Sequence, residues 1–331
     1  MTTLNAQRRA LLQALAAAGA GAAWPAAMAQ AGDWPKGLPI KFIVPFTPGS
    51  GTDVLARTVG EKLGAALATQ VVIENKPGAG GTLGAAQVAK SAADGYTLLV
   101  HSSGHVVNAA LYPKLPYDTL KDLEGITPLA SLPNVLVVAP AAGIKDVADL
   151  VARAKAKPGA LNYASAGNGS ATHMNAEKFR VVAGISAQHV PFRGTPEAIT
   201  ETIAGRTDWF FAPLVSALPL IKDGKLQALA VGTATRSNAL PNVPSIVEAG
   251  FASAAYVFWV GLFAPAKTPR AVVERLHGEV SKVLALPDVR ERLDKLGATP
   301  MTMAQPAFEK YLEEETASAA ALVRAAGIKL E

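Results

Sequence analysis

The sequence predicts an α/β protein of two lobes, with a ligand cleft between them. Three observations predict it. Short apolar and β-branched runs alternate with segments of helical period, which reads as α/β with parallel sheets. The 331 residues, half of them apolar, exceed one ordinary domain and suffice for two cores. Turns rich in Gly, Ser, Thr and Asn follow strands in both halves, at 47–52, 79–82 and 102–104, then at 165–170 and 192–195. Two sheets whose carboxyl edges face each other would enclose a ligand between such turns.

The chain opens on the three parts of a secretory signal: the basic pair Arg8-Arg9, an Ala/Leu-rich stretch over 10–23, and the small-x-small site Ala27-Met28-Ala29. Cleavage is expected near Ala29, and export by either the general or the twin-arginine route. The apolar stretch is shorter than the roughly 20 residues that span a bilayer. Net charge is +5, and subtracting Arg8 and Arg9 leaves +3. No Lys/Arg run marks a nucleic-acid surface. The chain has no cysteine, so disulfides, thiolate metal sites and a lipidated cysteine are excluded.

The elements are read in order. A strand over 40–46 leads into a helix ending near Ala66, whose Leu55, Val59 and Leu63 recur at helical spacing. A strand follows over 70–74, then a glycine turn and a helix to about Ser91. A third strand covers 96–100 and ends in a small polar loop, His101-Ser102-Ser103-Gly104-His105. Residues 111–122 are proline-interrupted and irregular. Strands over 126–131 and 135–139 flank Leu132-Pro133-Asn134, where the second lobe begins. Alternation restarts with a helix over 146–155, a strand over 161–164, a helix to Ala183, a strand over 187–191 and a helix to Ala204. Strands over 208–212 and 226–231 follow, then a proline-rich segment over 236–244. A strand over 256–264 returns to the first lobe, and helices over 269–285, 288–296 and 305–326 close the chain. The first lobe is thus assigned 32–131 and 255–331, the second 132–254.

The first turn carries the clearest chemistry. Gly49 and Gly51 let the backbone bend tightly and approach a ligand. Ser50 or Thr52 caps the helix, and Asp53 suits its dipole. Unpaired N–H groups at such a strand-to-helix turn bind carboxylates or phosphates. A connection that needs glycine only for geometry is the alternative. In the second half Arg193 either forks a ligand carboxylate or lies solvated on the rim. Asp208 either receives a ligand N–H or O–H or orients a loop. Trp209, Phe210, Phe211, Phe258 and Trp259 read as core.

Enzyme signatures are weak. Gly78-x-Gly80-x-x-x-Gly84 is only loosely a dinucleotide fingerprint, and Tyr117-x-x-x-Lys121 sits in irregular chain. No Gly-x-Ser-x-Gly elbow exists, and the five histidines are scattered, with surface or capping roles expected for His105 and His173. No metal or cofactor is implied.

Taken together the motifs resemble the Bug family of extracytoplasmic solute receptors, the binding proteins of tripartite tricarboxylate transporters. The carriers are Val44-Pro45-Phe46-x-x-Gly49-x-Gly51-x-Asp53-x-x-Ala56-Arg57, Asn75-Lys76-Pro77-Gly78-Ala79-Gly80-Gly81 and Asp94-Gly95-Tyr96-Thr97-Leu98-Leu99. Then come Tyr163-Ala164-Ser165-x-Gly167-x-Gly169-Ser170-x-x-His173, Val190-Pro191-Phe192-Arg193-Gly194, Leu240-Pro241-x-Val243-Pro244 and Gly261-Leu262-Phe263-Ala264-Pro265. The resemblance implies a two-lobed periplasmic clamshell of type II with the ligand between the lobes. It implies that the first-lobe turns hold one carboxylate by backbone N–H groups and water: Phe46, Thr47, Gly49, Ser50, Gly51 and Thr52, with Ala79, Gly80, Gly81, Ser102 and Ser103. From the second lobe it implies Ser165, Asn168, Ser170, Phe192, Arg193, Gly194 and Asp208. Ser50 stands where the family usually has a second glycine, and Arg193 where a lysine is common. The loop over 101–105 also differs from the usual Thr/Pro-containing form.

The expectation is a periplasmic, monomeric, non-catalytic receptor without cofactor. It would capture a small carboxylate and deliver it to membrane permease components of a tripartite tricarboxylate transporter. A dicarboxylate, an aromatic acid and an amino acid all remain open as ligands. An exported α/β enzyme acting on a small organic acid is the alternative, and a sensor partner of the same fold is a third reading.

Overall fold

A computed structural model describes residues 34–328 of the chain. The expected signal and its cleavage near Ala29 lie outside the described residues. Strand β1 (Ile40–Val44) pairs in parallel with β2 (Val71–Asn75) and β3 (Thr97–Ser102). Helix α1 (Gly51–Ala66) joins the first two strands, and α2 (Thr82–Ala89) precedes the third. These are β-α-β units, in which each crossover helix buries one stripe against the sheet. After α3 (Gly104–Leu111), β4 (Leu123–Ser131) passes by two residues into β5 (Asn134–Val138) of a second sheet.

The second sheet adds α4 (Val147–Ala156), β6 (Asn162–Ser165), α5 (Ala171–Ala183), β7 (Gln188–Pro191), α6 (Thr195–Ile203) and β8 (Trp209–Pro213). Helix α7 (Leu214–Lys222) and β9 (Gln227–Val231) complete it. The chain returns through β10 (Trp259–Pro265). It ends with α8 (Arg270–Ala285), α9 (Pro287–Lys295), the two-residue β11 (Thr299–Pro300) and α10 (Gln305–Ala326). Strand order is β11-β4-β10-β3-β1-β2 in one sheet and β7-β6-β8-β5-β9 in the other. The fold is therefore α/β with two sheets, each with its own helices.

Both sheets are mixed, which corrects the all-parallel expectation. β10 runs antiparallel to β3 and β4, and β5 antiparallel to β8 and β9. The reason is in the connections. The antiparallel strands β5 and β10 are those by which the chain enters a sheet from the other one, so neither is set parallel to its neighbours by a β-α-β crossover. Helix α7 was not expected either; it follows Pro213 directly and carries Pro219 inside. Proline removes an amide donor and normally argues against a helix interior.

Each sheet has its own core. Ile43, Leu99, Trp259, Phe263 and Phe308 pack under the first, with Phe308 supplied by α10. Leu136, Tyr163, Phe179, Trp209 and Phe211 pack on one face of the second, and Val137, Phe210 and Leu214 on the other. Trp209, Phe210, Phe211 and Trp259 are fully buried, as expected of core residues. Each such side chain contributes about 2–3 kcal/mol by leaving water. This rigid packing holds the strand ends, and so the turns that follow them, in place.

Candidate functional site

The turn after β1 is organised by one buried acid. Ser50 caps α1, its Oγ accepting the Asp53 N–H at 3.3 Å. The Asp53 carboxylate, 2% exposed, accepts the Gly49 N–H at 2.9 Å. Arg57 donates Nε to Asp53 Oδ2 and Nη2 to Oδ1, each at 3.0 Å. Asn75 Nδ2 lies 2.9 Å from both the Phe46 carbonyl and Asp53 Oδ1. Burial would raise the Asp53 pKa, but the Arg57 hydrogen bond, the Gly49 N–H, the Asn75 amide and the Arg57 charge together bring it below 3.8. So the Gly49 N–H, expected to face a ligand, is held by Asp53. The N–H groups of Gly51 and Thr52, the first two helical positions, keep no acceptor among the described residues.

The next turns are built for close approach. Gly80 (φ +62) has no room for a side chain, since a Cβ there would sit 1.8 Å from the Asn168 carbonyl oxygen. A Cβ on Gly81 (φ +96) would meet His101 Nε2 at 2.3 Å. Ala79 also takes positive φ, +46. The expected loop over 101–105 is instead the end of β3 and the start of α3. Ser102 ends the strand. The Ser103 N–H bonds the Trp259 carbonyl at 2.8 Å, and its Oγ lies 3.3 Å from the Tyr256 hydroxyl. His105 is fully buried rather than a surface or capping residue, with its ring 5.4 Å from that of His101. Burial lowers the pKa of both, His105 to about 4, so both are neutral at pH 7.

In the second sheet the turn over 165–170 satisfies most of its own N–H groups. Ala166 donates to Thr172 Oγ1 at 2.9 Å, Gly167 to Ser165 Oγ at 3.0 Å, Gly169 to His173 Nδ1 at 3.1 Å and Ser170 to the Gly167 carbonyl at 3.1 Å. This corrects the picture of bare amides there; the Thr172 hydroxyl and the His173 imidazole come from α5, and the Ser165 hydroxyl from the end of β6. Ser170 caps α5 through the His173 N–H at 3.3 Å. His173 is buried rather than on the surface, and it stacks on His189 at 4.0 Å, whose Nε2 lies 2.6 Å from Ser165 Oγ. Burial brings the pKa of His173 to about 4 and of His189 to about 3.

Phe192 and Arg193 lead to Gly194, whose added Cβ would lie 1.9 Å from Thr47 Oγ1. Asp208 stands apart. Its carboxylate accepts the Asn162 N–H at 2.6 Å at the amino ends of β6 and β8, whereas Ser165 ends β6. It orients the strand start, so the placement of Asp208 with the ligand turns is corrected.

The turns from the two sheets meet at two neighbouring spaces. The inner one, about 20 Å³, is lined by Phe46, Ser50, Gly51, Thr52, Ser102, Ser170 and Thr195, with Ala166, Ala171, Thr172, Pro213 and Phe258. It collects the amino ends of α1, α5 and α6, the positive ends of three helix dipoles. The outer cleft, about 370 Å³, is lined by Ala79, Gly80, Gly81, Asn168, Phe192 and Arg193, with Pro45, Gly78, Tyr112, Ala166, Gly167, Pro191 and Glu197. Ala166 borders both. Thr47 and Gly49 border neither. They bridge the sheets instead: Thr47 Oγ1 donates to Glu197 Oε2 at 3.0 Å, and Ser216 Oγ to the Gly49 carbonyl at 3.0 Å. Tyr112 OH bonds the Asn168 carbonyl at 3.2 Å. Sequence reasoning missed Tyr112, Thr172 and Glu197; Thr195 fell within the expected turn over 192–195 but was not singled out as a contact. Glu197 was findable in the first turn of the helix after Gly194. Amides and hydroxyls gathered at helix amino ends are the chemistry that suits an anion without a buried cation. Among the described residues no cluster of His, Asp and Glu could hold a metal, and no helix is long and apolar enough to cross a membrane.

Residues 55–328 match the family described as tripartite tricarboxylate transporter family receptor. The chain is 34% identical to Protein BugT of Bordetella pertussis over 295 residues, covering 88% of this chain and 90% of that one. Among solved structures it resembles R. palustris Rpa4515 with adipate, at TM-score 0.86 and 31% identity over 90% of this chain and 99% of that one. It also resembles MatC from Rhodopseudomonas palustris with bound malate, at TM-score 0.82 and 33% identity over 86% and 98%.

Proposed function

The chain belongs to the tripartite tricarboxylate transporter receptor family, as a Bug-type two-lobed solute receptor, and from that premise we propose that it is a periplasmic, non-catalytic receptor for a small organic carboxylate. The observation that carries the reading is the inner cavity. Three helix amino ends, two of them capped by Ser50 and Ser170, converge there on a space sized for one small polar group. A space of about 20 Å³ suits a water or one end of a carboxylate rather than a whole ligand. The Gly51 and Thr52 N–H groups and the Ser50, Thr52, Ser170 and Thr195 hydroxyls supply donors to it. The rest of the molecule would occupy the outer cleft. The carboxylates bound by the relatives, adipate and malate, agree in chemical class.

A ligand that touches turns of both sheets favours the form in which they meet, which is all that closure requires. The closed form would then be presented to membrane permease components of the transporter. The test is calorimetric titration of the mature chain with aliphatic dicarboxylates, aromatic acids and amino acids, with each bound acid recovered and identified. Saturable binding with the acid recovered unchanged supports the reading. Silence across the whole panel, or a new product, overturns it.

A further inference from the structure

The outer cleft carries two opposite charges that do not pair with each other. Arg193 is exposed on its wall, and no ion pair or hydrogen bond engages its guanidinium among the described residues. Glu197 borders the same cleft from the first turn of α6. Its Oε2 accepts the Thr47 hydroxyl at 3.0 Å. Its other oxygen has no hydrogen-bond partner among the described residues. The lining of one cleft thus includes an unpaired guanidinium and a carboxylate with one unbonded oxygen.

Building on the receptor reading above, we infer that Glu197 is a specificity-determining residue that selects an acid with a carboxamide at its far end over the dicarboxylate of the same length. The head of such an acid sits in the inner cavity, and Ala166, which borders both spaces, marks the path outward. At the far end an amide N–H meets the free oxygen of Glu197, and the amide carbonyl meets Arg193. Both cleft charges are then used. A second carboxylate in the same place pairs with Arg193 but sets two negative charges side by side at Glu197, where like charges discriminate strongly against a ligand. Neutral polar ends that both donate and accept are the class this cleft complements.

The experiment compares straight-chain dicarboxylates with their monoamides at four to seven carbons, by calorimetry on the mature chain. At the best chain length the monoamide should bind at least about tenfold tighter than its diacid. In Glu197→Gln, which keeps an acceptor for Thr47 but loses the charge, that gap should shrink to about threefold or reverse, with an unchanged melting curve. Thr47→Val should weaken both ligands alike and preserve their ratio. A diacid that binds as tightly as its monoamide in the unaltered protein overturns the inference. So does a gap untouched by Glu197→Gln, or one abolished by Thr47→Val, which would assign the effect to the bridge between the lobes. If neither series binds while another organic acid does, the inference falls and the receptor reading stands. If no organic acid binds, the receptor reading falls and takes the inference with it.

Discussion

The carboxylate of Asp53 accepts the Gly49 N–H at 2.9 Å. That bond ties the first glycine turn to the helix it introduces. The same carboxylate is forked by Arg57 and touched by the Asn75 amide, so one side chain joins the first turn to the Asn75-Lys76-Pro77 stretch. Removing it leaves the Gly49 N–H and the Arg57 Nε without this acceptor, while Asn75 keeps the Phe46 carbonyl and Arg57 Nη2 keeps the Asn75 Oδ1. Arg57 is about half exposed, with side-chain exposure of 49%, so the loss falls below that of a wholly buried ion pair. Asp53→Ala should lower stability by about 2–3 kcal/mol in urea melts. The Asp53 pKa is depressed in the folded state, so its contribution is complete above the ordinary value of 3.8 and lost as pH falls through the folded value. Asp53→Asn should therefore show a shallower stability loss on acidification below about pH 4 than the unaltered protein does.

A second acid-sensitive term acts at higher pH. His101, His105, His173 and His189 are all held neutral by burial, with His105 and His173 at about 4 and His189 at about 3. In the unfolded chain each titrates near 6.5. Between those values the unfolded state binds more protons than the folded one, so stability is full above pH 6.5 and falls as pH drops toward 4. A fully buried histidine with such a shift contributes on the order of 3 kcal/mol across that window. Thermal midpoints measured from pH 7.5 to 4.5 should fall steadily. His105→Gln should reduce the slope, whatever it does to the midpoint at pH 7.5.

Much of the fold was legible because its signals are local. Strands over 40–46, 96–100 and 226–231 announce themselves by apolar and β-branched runs, and the final helices by Pro269 and Pro306 at their starts. Strand direction was not legible. It depends on which neighbours β5 and β10 meet when the chain enters a sheet from the other one, a long-range pairing with no mark in composition. The site divides the same way. Glycine turns and the Ser50 and Ser170 caps are short-range patterns. The fate of each N–H is not, because the acceptor can come from a neighbouring helix turn or another element, as Thr172 does for Ala166 and His173 for Gly169. Glu197 was hidden for a similar reason: it acts against Thr47, 150 positions away.

Closure is testable at Gly194. Its backbone is extended, with φ −173, so alanine adds no conformational strain there. The added methyl would nonetheless lie 1.9 Å from Thr47 Oγ1 and 3.1 Å from the Thr47 backbone nitrogen. Rotation of the Thr47 side chain relieves only the first contact. Gly194→Ala should therefore keep each lobe folded, hold the two apart, and weaken the best carboxylate by about tenfold or more. Small-angle scattering with and without ligand would show a smaller ligand-induced compaction than in the unaltered protein. Equal affinity and equal compaction would mean that Gly194 and Thr47 do not meet in the bound form.

Arg193 allows binding to be separated from folding. No described residue pairs with its guanidinium, which lies exposed on the outer cleft, so truncation removes no contact that the folded chain makes with itself. Arg193→Ala should leave the melting temperature of the ligand-free protein within error. With ligand the guanidinium gains a charge-assisted hydrogen bond, and its loss should weaken the best acid by about 1.5–3 kcal/mol, roughly 10- to 150-fold in Kd. Arg193→Lys should recover only part of that, because an ammonium keeps the charge but not the planar fork. Calorimetry on the three proteins, paired with ligand-free melts, separates the cases. A drop in ligand-free stability would assign Arg193 to the fold, and an unchanged Kd would remove it from the site.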